Sequence, residues 1–210
     1  KTNKMKLNKL TFKDYNPLDN SSLVETQLAN VNVGEDAELY LLQKKNVDTN
    51  LYKNKNKNRY NYINLKSLTT DKKENSITLA ASVDATIIFD TLESISMGEA
   101  CGTHIYKGID GNSLNVTMGS DSYLQIKGLT KLHSLDLYLS DACSVDLDSV
   151  DINKLTIHGT GTSSITMNGH VGELDNNKND DITISGNFKI DSINTEEEAT
   201  NDGVWTDKTS

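Results

Sequence analysis

Residues 135–173 constrain the fold more than any other stretch of this chain. Written as two lines they read LDLYLSDACSVDLDSVDINK and LTIHGTGTSSITMNGHVGE. Each line opens on an alternating apolar strand: Leu135, Leu137 and Leu139 in the first, Leu155 and Ile157 in the second. A turn of small and polar residues follows, then a second short strand (Val145, Leu147; Ile165, Met167). A corner comes next (Asp148-Ser149; Asn168-Gly169), then a third strand (Val150, Ile152; Val171). Short strands recurring at a period of about 20 residues, with no helical spacing, are the mark of a coil of parallel strands. In such a coil each inward side chain stacks on its counterpart one rung away, and the alternate residues face water.

The plan extends in both directions. VNVGEDAELYLL (31–42) lies against ISMGEACGTHIY (95–106) without a gap, matching Val31 to Ile95, Val33 to Met97, Leu39 to Thr103 and Leu41 to Ile105. It reads as an early rung of the same coil. From Ile77 the repeat reads as continuous. Its second strand supplies two inward columns: Ile87, Thr103, Leu124, Val145, Ile165, Ile182, and Phe89, Ile105, Ile126, Leu147, Met167, Ile184. Glycine recurs at the following corner (Gly108, Gly128, Gly169, Gly186), where a sharp bend needs backbone angles that other residues avoid. The sequence therefore predicts an all-β, right-handed, single-stranded parallel β-helix of about six to eight rungs. It spans residues 31–194, with a polar loop at about 43–62. Residues 1–30 form an N-terminal cap or polar leader, in which Ser22-Leu23-Val24-Glu25 has the spacing of a capping box and predicts a short helix over 22–29. Residues 195–210 are an acidic C-terminal tail or cap, with Trp205 either folded back onto the end of the coil or frayed.

Composition fits a narrow coil. Only 35% of residues are hydrophobic, which suits an interior one side chain deep from each wall. The single proline, Pro17, lies outside the repeat, so it breaks no ladder. The formal charge of −9 argues against nucleic acid as a partner, because phosphate binding needs a basic surface. No run of about 18 apolar residues is present, so no membrane-spanning segment is expected. The chain opens KTNKMKLNKL, without a hydrophobic signal region. The protein is therefore either cytosolic or has lost a targeting segment.

The segment LTIHGTGTSSITMNGHVGELD resembles the auto-transporter adhesin head, or GIN-domain, family. The likeness covers roughly residues 31–194 as a pattern, with the Gly/Ser-rich turn carried best by residues 155–169. Other turns here are Asp- and Ala-rich, as in Ser140-Asp141-Ala142 and Gly119-Ser120-Asp121. The resemblance implies a short right-handed parallel β-helix of a Gram-negative lipoprotein or secreted protein. It implies a location at the outer-membrane surface, in the periplasm or outside the cell. The function it implies is a non-enzymatic interaction module, whose partner is a surface glycan or another surface protein.

Candidate chemistry is sparse. The basic, aromatic run Tyr52, Lys53, Lys55, Lys57, Arg59, Tyr60 and Tyr62 is a local positive patch on an acidic chain, suited to an anionic glycan or an acidic partner; its bland reading is an Asn/Lys surface loop. A second cluster, His104, Tyr106, Gln125, Lys127, Asp146 and Asp148, falls on one outer face in the repeat register. Paired carboxylates beside a cation are the elements of acid–base work on a sugar acid, which makes a pectinase-like enzyme the alternative function. A solvated face with a Lys127–Asp148 ion pair is the simpler reading, since the only arginine, Arg59, is far away in the polar loop. A self-assembling structural coil is the third possibility. No cofactor or metal is expected: His104, His133, His158 and His170 lack zinc-ligand spacing. The turn aspartates Asp36, Asp84 and Asp121 form one column interrupted by Ala100 and Ala142.

Aligning the turns places Cys101 and Cys143 in a column that reads Ala85, Cys101, Ser122, Cys143, Ser163. Two rungs, or roughly 9.6 Å, separate the cysteines. A disulfide needs Cα atoms closer than about 7 Å, so two free thiols are expected.

Overall fold

The computed structural model describes residues 6–9, 22–26, 30–46, 68–71, 76–79, 81–82, 84–89, 91–177, 181–194 and 205–207. The basic run over 52–62 lies outside them. The described chain is nearly all β, with one 3-10 turn at Lys44–Asn46 and no α-helix. In chain order the strands are β1 (Lys6–Lys9), β2 (Ser22–Thr26), β3 (Asn30–Val33), β4 (Glu38–Gln43) and β5 (Leu68–Asp71). Then come β6 (Ser76–Leu79), β7 (Asp84–Phe89), β8 (Ser94–Met97), β9 (Gly102–Tyr106) and β10 (Ile109–Met118). The last five are β11 (Tyr123–Leu139), β12 (Ser144–Gly159), β13 (Thr162–Asn177), β14 (Asp181–Asn194) and β15 (Trp205–Asp207). They stack as one parallel β-solenoid of about five turns. The long strands β11 to β14 bend at their corners and cross three faces each. Face I holds β4, β9 and the starts of β11 to β14. Face II holds the start of β10 and the middles of β11 to β14. Face III holds β3, β8 and the far ends of β10 to β14.

The inward columns follow the alternation. On face I, Leu39, Thr103, Leu124, Val145 and Ile165 stack in register, as do Leu41, Ile105, Ile126, Leu147 and Met167. On face III, Val116, Leu137 and Ile157 stack, as do Val31 and Ile95. All of these are buried. The coil interior is thus filled by side chains, each buried Leu or Ile contributing on the order of 2–3 kcal/mol.

Two of the expected columns are displaced by two residues. Ala85 pairs with Leu39 and Ile87 with Leu41, so Ile87 belongs with Ile105 and not with Thr103, and Phe89 pairs with Gln43. At the other end Ser163 pairs with Ile182 and Ile165 with Ile184. A slip of two keeps every side chain on its own face, so the apolar alternation does not resist it.

The order of the rungs also departs from the chain. β3 and β4 do not follow β6 and β7 outward; they lie between β6–β7 on one side and β8–β9 on the other. The repeat is therefore not continuous from Ile77. The match of residues 31–42 to 95–106 is the register in which these segments pair. Beyond β7, Ser22–Thr26 is a strand and not a helix: β2 adds to β7 in parallel, and β1 pairs with β2 antiparallel. Val24 and Thr26 are β-branched and suit a strand, and the open ladder of β7 supplies partners for the backbone, which outweighs the helical preference of Leu23 and Glu25. On face III the same end finishes in β5, antiparallel to β6. At the far end β15 pairs with β14, placing Trp205 opposite Ile184.

The turns between faces III and I repeat. Gly34-Glu35-Asp36-Ala37, Gly98-Glu99-Ala100-Cys101, Gly119-Ser120-Asp121-Ser122 and Ser140-Asp141-Ala142-Cys143 share a left-handed third residue, with φ of 58° at Asp36, 54° at Ala100, 61° at Asp121 and 57° at Ala142. The neighbouring turn carries Ser82 there (φ 58°), so Ser82 and not Asp84 belongs to the turn column. The fourth residue points inward and is small. Backbone bonds from Gly102 N to Ala37 O, Tyr123 N to Cys101 O, Ser144 N to Ser122 O and Ser164 N to Cys143 O define the column Ala37, Cys101, Ser122, Cys143, Ser163. Ala37 takes the place expected for Ala85. Both cysteines are buried and free. Each polar member donates to the turn of the rung before it: Cys101 to Gly34 O, Ser122 to Gly98 O, Cys143 to Gly119 O and Ser163 to Ser140 O.

Candidate functional site

The outward residues of face I form a connected polar and aromatic surface on the described coil. Alternation points Glu38 and Tyr40 of β4, His104 and Tyr106 of β9, and Tyr123 and Gln125 of β11 away from the core. Pairing in register sets Tyr40, His104, Gln125 and Asp146 in one lateral column. The face therefore brings together His104, Tyr106, Gln125, Lys127, Asp146 and Asp148, as the repeat register places them. It adds three residues that sequence reasoning left out: Glu38, Tyr40 and Tyr123.

His104 is the centre. Its Nε2 lies 2.7 Å from Glu38 Oε2 and its Nδ1 lies 3.3 Å from Gln125 Oε1. Its ring stacks on Tyr40 at 4.8 Å between centroids, with planes 14° apart, and Tyr123 lies tilted at 5.6 Å. Glycine at position 102 makes the Glu38 contact possible, because a Cβ there would collide with the Glu38 carboxylate. The Glu38–His104 pair spans 66 residues of chain, so no local spacing reveals it. The available signal is the gapless match of 31–42 to 95–106, which sets Tyr40 opposite His104 and Glu38 opposite Gly102.

The expected Lys127–Asp148 pair takes a different form. Lys127 Nζ lies 5.5 Å from the centre of the Tyr106 ring, a cation–π contact. Asp148 Oδ2 instead accepts the N–H of Gly128 at 3.1 Å, while Asn168 Nδ2 donates to the Asp148 carbonyl at 3.1 Å. Asp148 is a corner staple: backbone N–H groups freed by the bend need an acceptor, and the next rung supplies one. Burial pushes the Tyr123 phenol above its ordinary value, and the Asp146 carboxylate beside it adds to the shift.

A carboxylate–imidazole pair can move protons when the second ring nitrogen faces a substrate. Here that nitrogen faces Gln125, and the ring is covered by Tyr40 and Tyr123. The arrangement orders a surface and leaves no ring nitrogen of His104 for a reacting group.

Face II carries a ladder of ionisable side chains. Asp110, Lys131, Asp151, His170 and Lys189 are successive lateral neighbours. Lys45 Nζ sits 2.8 Å from Asp110 Oδ2 and holds the Asp110 carboxyl below its usual range. His170 Nε2 sits 2.8 Å from Asp191 Oδ2. These groups are half exposed, and cross-strand pairs of this kind act mainly by favouring one register over its neighbours. On face III, Tyr138 stacks on His158 at 4.4 Å, with planes 3° apart. His133 meets Asn153 at 2.9 Å. The four histidines thus sit apart, and among the described residues no group of three or more His, Cys, Asp or Glu side chains converges. No helix among them is long and apolar enough to cross a membrane. No protein-family model, no curated protein and no solved structure matches this chain.

Proposed function

We propose that this chain is a non-enzymatic, extracytoplasmic interaction module of the adhesin-head kind, built on a right-handed coil and contacting a surface glycan or another surface protein. The observation that carries the reading is how the outer faces use their polar groups. His104 is held between Glu38 and Gln125, Lys127 lies on Tyr106, Asp148 staples a corner and Lys45 pairs with Asp110. They are spent along the faces, over a filled interior, and do not converge on a cleft. That favours a broad contact surface over the pectinase-like alternative. The antiparallel strands β1 and β5 end the parallel ladder on two faces, which speaks against end-to-end stacking at that end. The basic run Tyr52, Lys53, Lys55, Lys57, Arg59, Tyr60 and Tyr62 supplies the charge complement for an anionic glycan.

The test is adhesion of the full chain to immobilised anionic and neutral polysaccharides, alongside a variant lacking residues 54–58 and an assay for depolymerised polygalacturonate. The reading predicts adhesion without cleavage, and loss of the anionic component in the deletion variant at an unchanged melting temperature. Cleavage of the polymer, or no adhesion to any glycan or surface protein fraction, would overturn it.

A further inference from the structure

Face III carries a second feature, away from the His104 cluster. Thr117, Tyr138, Leu139, Ser140, His158 and Thr160 line a shallow depression of about 340 Å³. That volume is at the low end of the ~300–1,000 Å³ range of small-molecule sites. Its floor is built by the ladder: Thr117, Tyr138 and His158 are lateral neighbours on three successive rungs. Tyr138, beside the short Thr117 side chain, is 43% exposed. The other wall is the turn that follows, through Ser140 and Thr160.

The chemistry of the lining selects a ligand class. It holds no carboxylate, lysine or arginine, on a chain of net charge −9. It offers the surface of the exposed Tyr138 ring, bordered by the hydroxyls of Thr117, Tyr138, Ser140 and Thr160 and the ring nitrogens of His158. A ligand matching both needs an apolar C–H face and a rim of neutral hydroxyls. We propose that the Tyr138–His158 depression binds a neutral pyranose ring, seated against the paired aromatic side chains. The proposal rests on the glycan reading above for the class of partner and adds a place and a charge state. The parallel contact between Tyr138 and His158 fixes the Tyr ring before binding, so little side-chain freedom is lost when a sugar docks.

The experiment is an NMR titration of the full chain with methyl glycosides of glucose, galactose, mannose and N-acetylglucosamine, and with methyl glucuronide as the charged counterpart. At least one neutral glycoside should move the amide signals of Thr117, Tyr138, Leu139 and His158, and the glucuronide should bind more weakly. Tyr138→Ala should weaken binding roughly 2- to 10-fold, the range expected from losing one aromatic contact. Tyr138→Phe, which keeps the ring, should recover most of it. The proposal falls if no neutral glycoside moves those signals, if the glucuronide binds as well, if an aromatic probe such as indole displaces all of them, or if Tyr138→Ala binds unchanged. Adhesion to polysaccharide that survives Tyr138→Ala would sink this site and leave the broader reading standing. Glycoside binding here without adhesion to any surface glycan would do the reverse.

Discussion

The side-chain amide of Gln43 pairs with both backbone groups of Asp110, Nε2 with the carbonyl and Oε1 with the N–H, each at 2.8 Å. Gln43 is buried to 2% exposure at the end of β4, where face II begins. Asp110 belongs to the first described strand of that face, and a side-chain amide presents the same donor and acceptor as a neighbouring strand would. Asn46 extends the mimicry by donating to the Gly108 carbonyl, and Lys45 holds the Asp110 carboxylate. Replacing Gln43 by Leu would leave the Asp110 N–H and C=O without these partners, at a cost of about 1–3 kcal/mol. Urea denaturation should show that loss as a lower midpoint at an unchanged slope. A midpoint equal to that of the parent protein would mean the amide is not a capping strand.

Two core positions run the other way. Thr103 sits in the column between Leu39 and Leu124, and Thr130 in the column between Ile109 and Val150; both are fully buried. The hydroxyl of each has no hydrogen-bond partner. Valine has nearly the same shape without the hydroxyl, so Thr103→Val and Thr130→Val should each stabilise the fold by about 1 kcal/mol. Thermal melts of the two single variants and the double variant would check this, with near-additive gains expected because the sites lie on different faces. A loss of stability in either would show that its hydroxyl is engaged.

The buried thiols set an alkaline limit. Burial pushes Cys101 and Cys143 above their ordinary value of 9.0, and Tyr123 above 10.0. The folded state therefore holds these protons more tightly than the unfolded state. Their contribution is fully present below pH ~9 and is lost as pH rises through the folded-state values. Stability against urea should fall as pH rises above about 9, and the double variant Cys101→Ser, Cys143→Ser should show a shallower fall. Both thiols should react with Ellman's reagent only after denaturation, because the reacting thiolate is disfavoured in the native core. Rapid reaction of the native protein would contradict this placement.

The sequence made the coil readable because period-2 alternation and a recurring turn are local signals. The columns through Ile126, Leu147 and Met167, and the match of Val31 to Ile95, are the pairings of the fold. Ile87 and Ile182 were harder because a shift by two leaves inward residues inward. Only the left-handed turn residue, Ser82 in the first case, fixes the column. Rung order is harder still, since every rung presents the same apolar pattern to both sides. Of the His104 surface, His104, Tyr106, Gln125 and Lys127 were legible from spacing, whereas Glu38 and Tyr40 depend on which rung stacks on which, and Tyr123, at the start of β11, was passed over. Gln43 reads as ordinary polar sequence until the strand it caps is known.

Rung order is the claim on which the face I site depends, because Glu38 and Tyr40 reach His104 only if β4 lies directly against β9. Asn32 is paired with Thr78 on one side and with Ser96 on the other, with the first contact also a side-chain hydrogen bond of 3.3 Å. Cysteine pairs at these outward positions, in a Cys101→Ser, Cys143→Ser background, would read the order directly. Neighbouring rungs place Cα atoms roughly 4.8 Å apart, within disulfide reach, whereas two rungs place them roughly 9.6 Å apart, beyond it. The structure predicts that Asn32→Cys with Ser96→Cys crosslinks on mild oxidation and that Thr78→Cys with Ser96→Cys does not. Efficient crosslinking of the 78–96 pair, with none for the 32–96 pair, would contradict the order of the coil and remove Glu38 from His104.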